Sequence, residues 1–72
     1  MTLRTLAKET MVQGNVKIEI WEDSEPIEEY SFTYVDNLLA TLSSYPETKQ
    51  LLKRRVKFMF CSGDGYLHIE LE

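Results

Sequence analysis

The sequence predicts an α+β fold in which two β-hairpins form a four-stranded antiparallel sheet, with helices packed on one face. Three observations carry that expectation. Apolar and polar residues alternate through Asn15–Glu22 and Ile27–Tyr34; they alternate again through Arg54–Glu72 on either side of Ser62-Gly63-Asp64-Gly65; and between these stretches Val35, Leu38, Leu39 and Leu42 recur at helical spacing. The element order is α-β-β-α-α-β-β, in one domain spanning residues 1–72.

The elements follow in chain order. Thr2 is an N-cap type ahead of Leu3, Leu6, Ala7 and Met11, which fall near one helical face, so a short helix is expected from about Leu3 to Thr10, with Gly14 ending the segment. Val16, Ile18 and Ile20 then point one way along a strand while Lys17, Glu19 and Trp21 point the other. Asp23-Ser24-Glu25-Pro26 is a turn by residue type, and Ile27–Tyr34 returns as a strand, with Ile20 opposite Tyr30, Ile18 opposite Phe32 and Val16 opposite Tyr34. Asp36 is placed to cap the helix that carries Leu38 and Leu42. Pro46 opens a further short helix to Lys53, and Tyr45, preceding a proline, breaks the two helices apart.

The final hairpin admits two registers. A Gly63-Asp64 loop sets Phe60 opposite Leu67, Phe58 opposite Ile69, Val56 opposite Leu71, and the charged pairs Lys57–Glu70 and Arg55–Glu72. An Asp64-Gly65 loop keeps the same apolar face and sets Cys61 opposite His68. A three-residue loop would shift the parity and put Phe60 opposite His68, which the alternation disfavours.

Composition limits the function classes. With 43% apolar and 28% charged residues the chain has the make-up of a folded domain. Its 72 residues lie near the size at which one core supplies only about 3–5 kcal/mol. One cysteine forms no internal disulfide, no metal-knuckle spacing occurs, and no cofactor motif is present, so no cofactor or metal is expected. No signal-peptide core and no membrane-length apolar run stands in the sequence, which points to a cytoplasmic protein.

The charge is −4 overall and strongly segregated: residues 18–48 hold eight acidic and no basic side chains, and residues 49–57 hold five basic and no acidic ones. The first hairpin is thus an acidic pole, suited to docking a basic partner, to imitating a nucleic-acid backbone, or to plain solubility. Lys53, Arg54, Arg55 and Lys57 form a candidate basic patch for phosphates, although an acidic chain makes nucleic acid an unfavoured partner. Acidic and basic surfaces of neighbouring copies could also complement one another.

Two further features bear on function. Trp21, Met59, Cys61, Tyr66 and His68 all fall on strand faces that alternation assigns to solvent, an apolar set of the kind enriched at interfaces, and they form the candidate interaction face. Cys61 and His68 also make the one nucleophile–base pair available, but no orienting group or oxyanion donor is evident, so no enzyme is expected. The lead expectation is a non-enzymatic protein-interaction module, self-association included; the alternative is a nucleic-acid-directed protein.

Val16-Lys17-Ile18-Glu19-Ile20, a helical middle and the closing Met59-Phe60-Cys61-Ser62-Gly63-Asp64-Gly65-Tyr66-Leu67-His68-Ile69-Glu70-Leu71-Glu72 together resemble small uncharacterised proteins of Gram-positive bacterial phages and mobile elements. The resemblance implies a bacterial cytoplasmic setting and an accessory role by protein contact. It transfers no catalytic residue.

Overall fold

In the computed structural model, which describes residues 1–72, helix α1 (Leu3–Glu9) starts where Thr2 Oγ1 accepts the Thr5 N–H at 3.2 Å. Leu3, Leu6 and Ala7 line its buried face. Thr10 is extended and ends the helix, so Met11, expected on the same face, is 84% exposed.

Strands β1 (Gly14–Glu22) and β2 (Glu25–Val35) form an antiparallel hairpin closed by Asp23 and Ser24, whose φ values of 51° and 64° are those of a type I′ loop. The turn is tighter than the residue types suggest, and Pro26 lies inside β2. An edge strand tolerates it there, because the missing N–H of proline costs least where the strand has a neighbour on one side only. Ile18 pairs with Tyr30 and Val16 with Phe32, two positions from the expected register; a shift of two keeps every side chain on its expected face. Near the open end Tyr34 adopts φ 56°, its N–H donates to Asn15 Oδ1 at 3.1 Å, and its ring is 89% exposed.

Val35 ends β2 instead of opening a helix. Helix α2 (Leu38–Ser43) is capped by Asn37, whose Oδ1 accepts the Ala40 N–H at 3.0 Å, while Asp36 accepts the Gln13 side-chain amide. Asn37 replaces the expected Asp36 because the strand runs one residue further than the periodicity implies. Helix α3 (Pro46–Lys49) continues into a 3₁₀ turn, Gln50–Lys53, that buries Leu51 and Leu52. Tyr45 is extended ahead of Pro46, as expected, and buried Thr48 ties α3 to α2 by donating to the Leu42 carbonyl at 2.8 Å.

Strands β3 (Val56–Cys61) and β4 (Leu67–Leu71) complete a four-stranded sheet of order β2-β1-β4-β3. The expectation of an all-antiparallel sheet is corrected: β1 and β4 run parallel at its centre, so the sheet is mixed. The reason lies in which strands are apolar on the helical side. Pairing Val16 with Leu67, Ile18 with Ile69 and Ile20 with Leu71 puts six aliphatic side chains side by side under the helices. These strands, α1, α2, the 3₁₀ turn and Val35 supply the thirteen buried residues of the core.

The last hairpin departs from both favoured registers. Val56 pairs with Leu71 as expected, but an irregularity at Lys57 then sets Phe58 opposite Glu70, Met59 opposite Ile69, Phe60 opposite His68 and Cys61 opposite Leu67. This is the parity the alternation disfavoured. One extra residue at a β-bulge reverses all that follow, carrying Phe58 and Phe60 to the face away from the helices. The five-residue loop is shaped by Asp64, which accepts the Tyr66 N–H at 2.9 Å, and by Gly65 at φ 82°. The expected Lys57–Glu70 opposition is therefore absent, whereas Arg55, ahead of the bulge, stays beside Glu72, whose N–H donates to the Arg55 carbonyl at 3.0 Å, without a side-chain ion pair between them.

Candidate functional site

The helix-free face of the sheet carries two parallel rows of side chains. One row runs Glu29, Glu19, Glu70, Phe58 across the four strands; the next runs Ser31, Lys17, His68, Phe60. Three carboxylates in line would repel one another, and Lys17 of the adjacent row offsets this. Lys17 Nζ lies 3.8 Å from Glu29 and 3.7 Å from Asp64, and sits 4.8 Å above the Tyr66 ring.

His68 is the centre of the network. Its Nδ1 is 3.1 Å from Glu19 Oε1, and its Nε2 is 3.0 Å from Asp64 Oδ2 and 3.0 Å from Ser62 Oγ. Phe60 stacks on it with centroids 4.8 Å apart and planes 7° from parallel. The Glu19 carboxylate, with Asp64 acting the same way, holds the imidazole proton more tightly than usual against the opposing effect of burial. The Ser62 hydroxyl, then the Tyr66 N–H and His68, hold the Asp64 carboxyl far below the usual carboxylate range.

Ser62, His68 and Glu19 stand at the spacing of a nucleophile, a base and an orienting carboxylate. Asp64 competes for both Ser62 and His68. The Ser62 hydroxyl donates to Asp64 Oδ1 at 2.6 Å, and an imidazolium bonded to carboxylates at both nitrogens has no lone pair with which to accept the hydroxyl proton. The arrangement is a carboxylate–imidazole–carboxylate clamp that fastens the β3–β4 loop to β1.

Of the expected interaction face, the structure brings Tyr66 and His68 together around Lys17 and Asp64. Trp21 lies on the same face, half-buried, and its indole N–H is buried without an acceptor in the chain. Met59 and Cys61 do not join them: the bulge turns both to the helical side, where they stay exposed at the sheet edge, and Cys61 faces away from His68. Phe58 and Phe60 take their places on the outer face.

The expected basic patch is dispersed. Arg54 Nη1 donates to the Glu72 carbonyl at 2.8 Å, Lys57 lies at the bulge with Nζ 5.8 Å from the Phe58 ring centre, and Lys53 turns to a groove beside α1. Arg55 is exposed and lies opposite Thr2 in an isolated bridge.

Residues missed by sequence reasoning are Glu19, Ser62, Asp64, Phe58 and Phe60. Glu19 and His68 are 49 positions apart and meet only through the parallel pairing of β1 with β4. No helix in the fold is long and apolar enough to cross a membrane. No family model, no curated protein and no solved structure matches the chain, so the reading of this face rests on its own geometry.

Proposed function

We propose that the protein is a non-enzymatic interaction module that associates head to tail, the free edge of β3 in one copy adding to the acidic β2 edge of another. The observation that carries this reading is the exposure of β3: Phe58, Met59 and Phe60 are 58%, 45% and 43% exposed on an unpaired sheet edge. An exposed apolar edge strand is a template for another strand, since its outward N–H and C=O groups lack partners.

The strand order supports the choice of partner. It sets Glu25, Glu28 and Glu29 on one edge strand, β2, and Arg55 and Lys57 beside the other edge strand, β3. The first residues of the chain already occupy the beginning of the β3 edge, where the Leu3 N–H donates to the Arg54 carbonyl at 2.9 Å and the Val56 N–H to the Met1 carbonyl at 2.8 Å. The stretch open to an incoming strand is Lys57–Cys61. Opposite edges meeting in this way use different surfaces on each copy, so the assembly is open-ended.

Charge reversal tests the reading by sedimentation equilibrium. The native chain should associate with rising concentration and less so with added salt. Glu25→Lys with Glu28→Lys should give a monomer, as should Arg55→Glu with Lys57→Glu, and mixing the two variants should restore association. A native chain that stays monomeric at every concentration overturns the proposal, as do variants that associate unchanged.

A further inference from the structure

Arg4 of α1 and Lys49 and Lys53 of the α3–3₁₀ segment line one groove of about 270 Å³, together with Pro46 and Gln50. No carboxylate lies among its lining residues, and none of the three cations is within ion-pairing distance of one. This is unusual for a chain with twelve acidic and eight basic residues, where carboxylates are plentiful. Lys49 and Lys53 are four residues apart along a helical segment, a spacing at which like charges repel. Arg4 lies in the first turn of its helix, the end that disfavours a cation. The final turns of α3 and of the 3₁₀ segment give Lys49 and Lys53 a structural reason to be there; nothing of the kind accounts for Arg4 beside them.

We infer that this groove binds a compact phosphate-bearing anion, with Arg4, Lys49 and Lys53 each supplying charge-assisted hydrogen bonds to phosphate oxygens. A small ligand fits better than a nucleic-acid strand. Charges beyond about 8 Å are screened at physiological ionic strength, so a compact anion experiences the three local cations, whereas a long strand would also run against the surplus of carboxylates. None of the groove's lining residues belongs to β3.

Titrating isotope-labelled protein with sodium pyrophosphate, with sodium chloride of equal ionic strength as control, tests the site by amide chemical shifts. Saturable shifts should centre on Arg4, Lys49, Gln50 and Lys53, and Arg4→Gln combined with Lys49→Gln and Lys53→Gln should weaken binding at least tenfold while the spectrum remains that of a folded chain. Single substitutions, each lowering affinity in part, serve if the triple variant does not fold. Shifts that match the chloride control, spread equally to Lys17 and Lys57, or survive the substitutions overturn the site. A single-stranded oligonucleotide that perturbs the same amides at lower concentration than pyrophosphate overturns the assignment to a compact ligand.

Discussion

Ile18→Ala should leave a large fraction of the molecules unfolded at room temperature. Ile18 is 0% exposed in the central strand β1, flanked across the sheet by Ile69 and Tyr30 and covered by the helices. Removing such a side chain from a packed core costs about 2–5 kcal/mol, because the cavity only partly closes. A core of this size supplies in total only about 3–5 kcal/mol, so one substitution can consume most of it. Ile18→Val keeps the branch and should cost about 0.5–1.5 kcal/mol. Urea unfolding followed by circular dichroism measures both, and equal midpoints for native and Ile18→Ala chains would show that β1 is not the core strand described above.

The second large effect concerns pH. His68 has its proton affinity raised by Glu19 and Asp64, so its contribution to stability is fully present below its ordinary value of about 6.5 and is lost as pH rises through the raised value of the folded state. Asp64 has its acidity increased by Ser62, Tyr66 and His68, so its contribution is present above the ordinary value of about 3.9 and is lost as pH falls toward the folded-state value. Both contributions coexist between about pH 4 and 6.5, where the clamp is strongest. Urea midpoints should fall on going from there to alkaline pH, and His68→Gln should flatten that limb while leaving the acid limb in place. Asp64→Asn should flatten part of the acid limb and lower the pH at which the His68 ring protons titrate in nuclear magnetic resonance spectra. A His68 titration at or below the ordinary histidine value would contradict the clamp.

Much of the fold was legible because it rests on local periodicity. The alternation of Val16, Ile18 and Ile20 places β1 and its buried face, the spacing of Leu38 and Leu42 places α2, and Thr2 and Pro46 mark where α1 and α3 begin. Strand order was not legible, since alternation states which face of a strand is buried and not which strand lies beside it. The parallel pairing that joins β1 to β4 was missed for that reason, and with it Glu19 as the partner of His68. The bulge at Lys57 was hidden for a different reason. Val56, Phe58 and Phe60 alternate cleanly with Lys57, Met59 and Cys61, and only the stacking of Phe60 on His68 and the loop held by Asp64 reward the opposite parity. Those rewards are tertiary. The five residues grouped as an interaction face consequently split, with Met59 and Cys61 going to one side and Trp21, Tyr66 and His68 to the other.

The bulge also makes the functional reading specific, because it leaves two phenylalanines and a methionine on an edge that begins where the Met1–Leu3 segment stops. Amide hydrogen exchange measured over a range of protein concentrations tests that edge most directly. Association through it predicts that amides facing the free edge within Lys57–Cys61, and others within Glu25–Tyr30, exchange more slowly as concentration rises, while amides of β1 and β4 keep their rates. Exchange in Lys57–Cys61 that is the same at every concentration would contradict it.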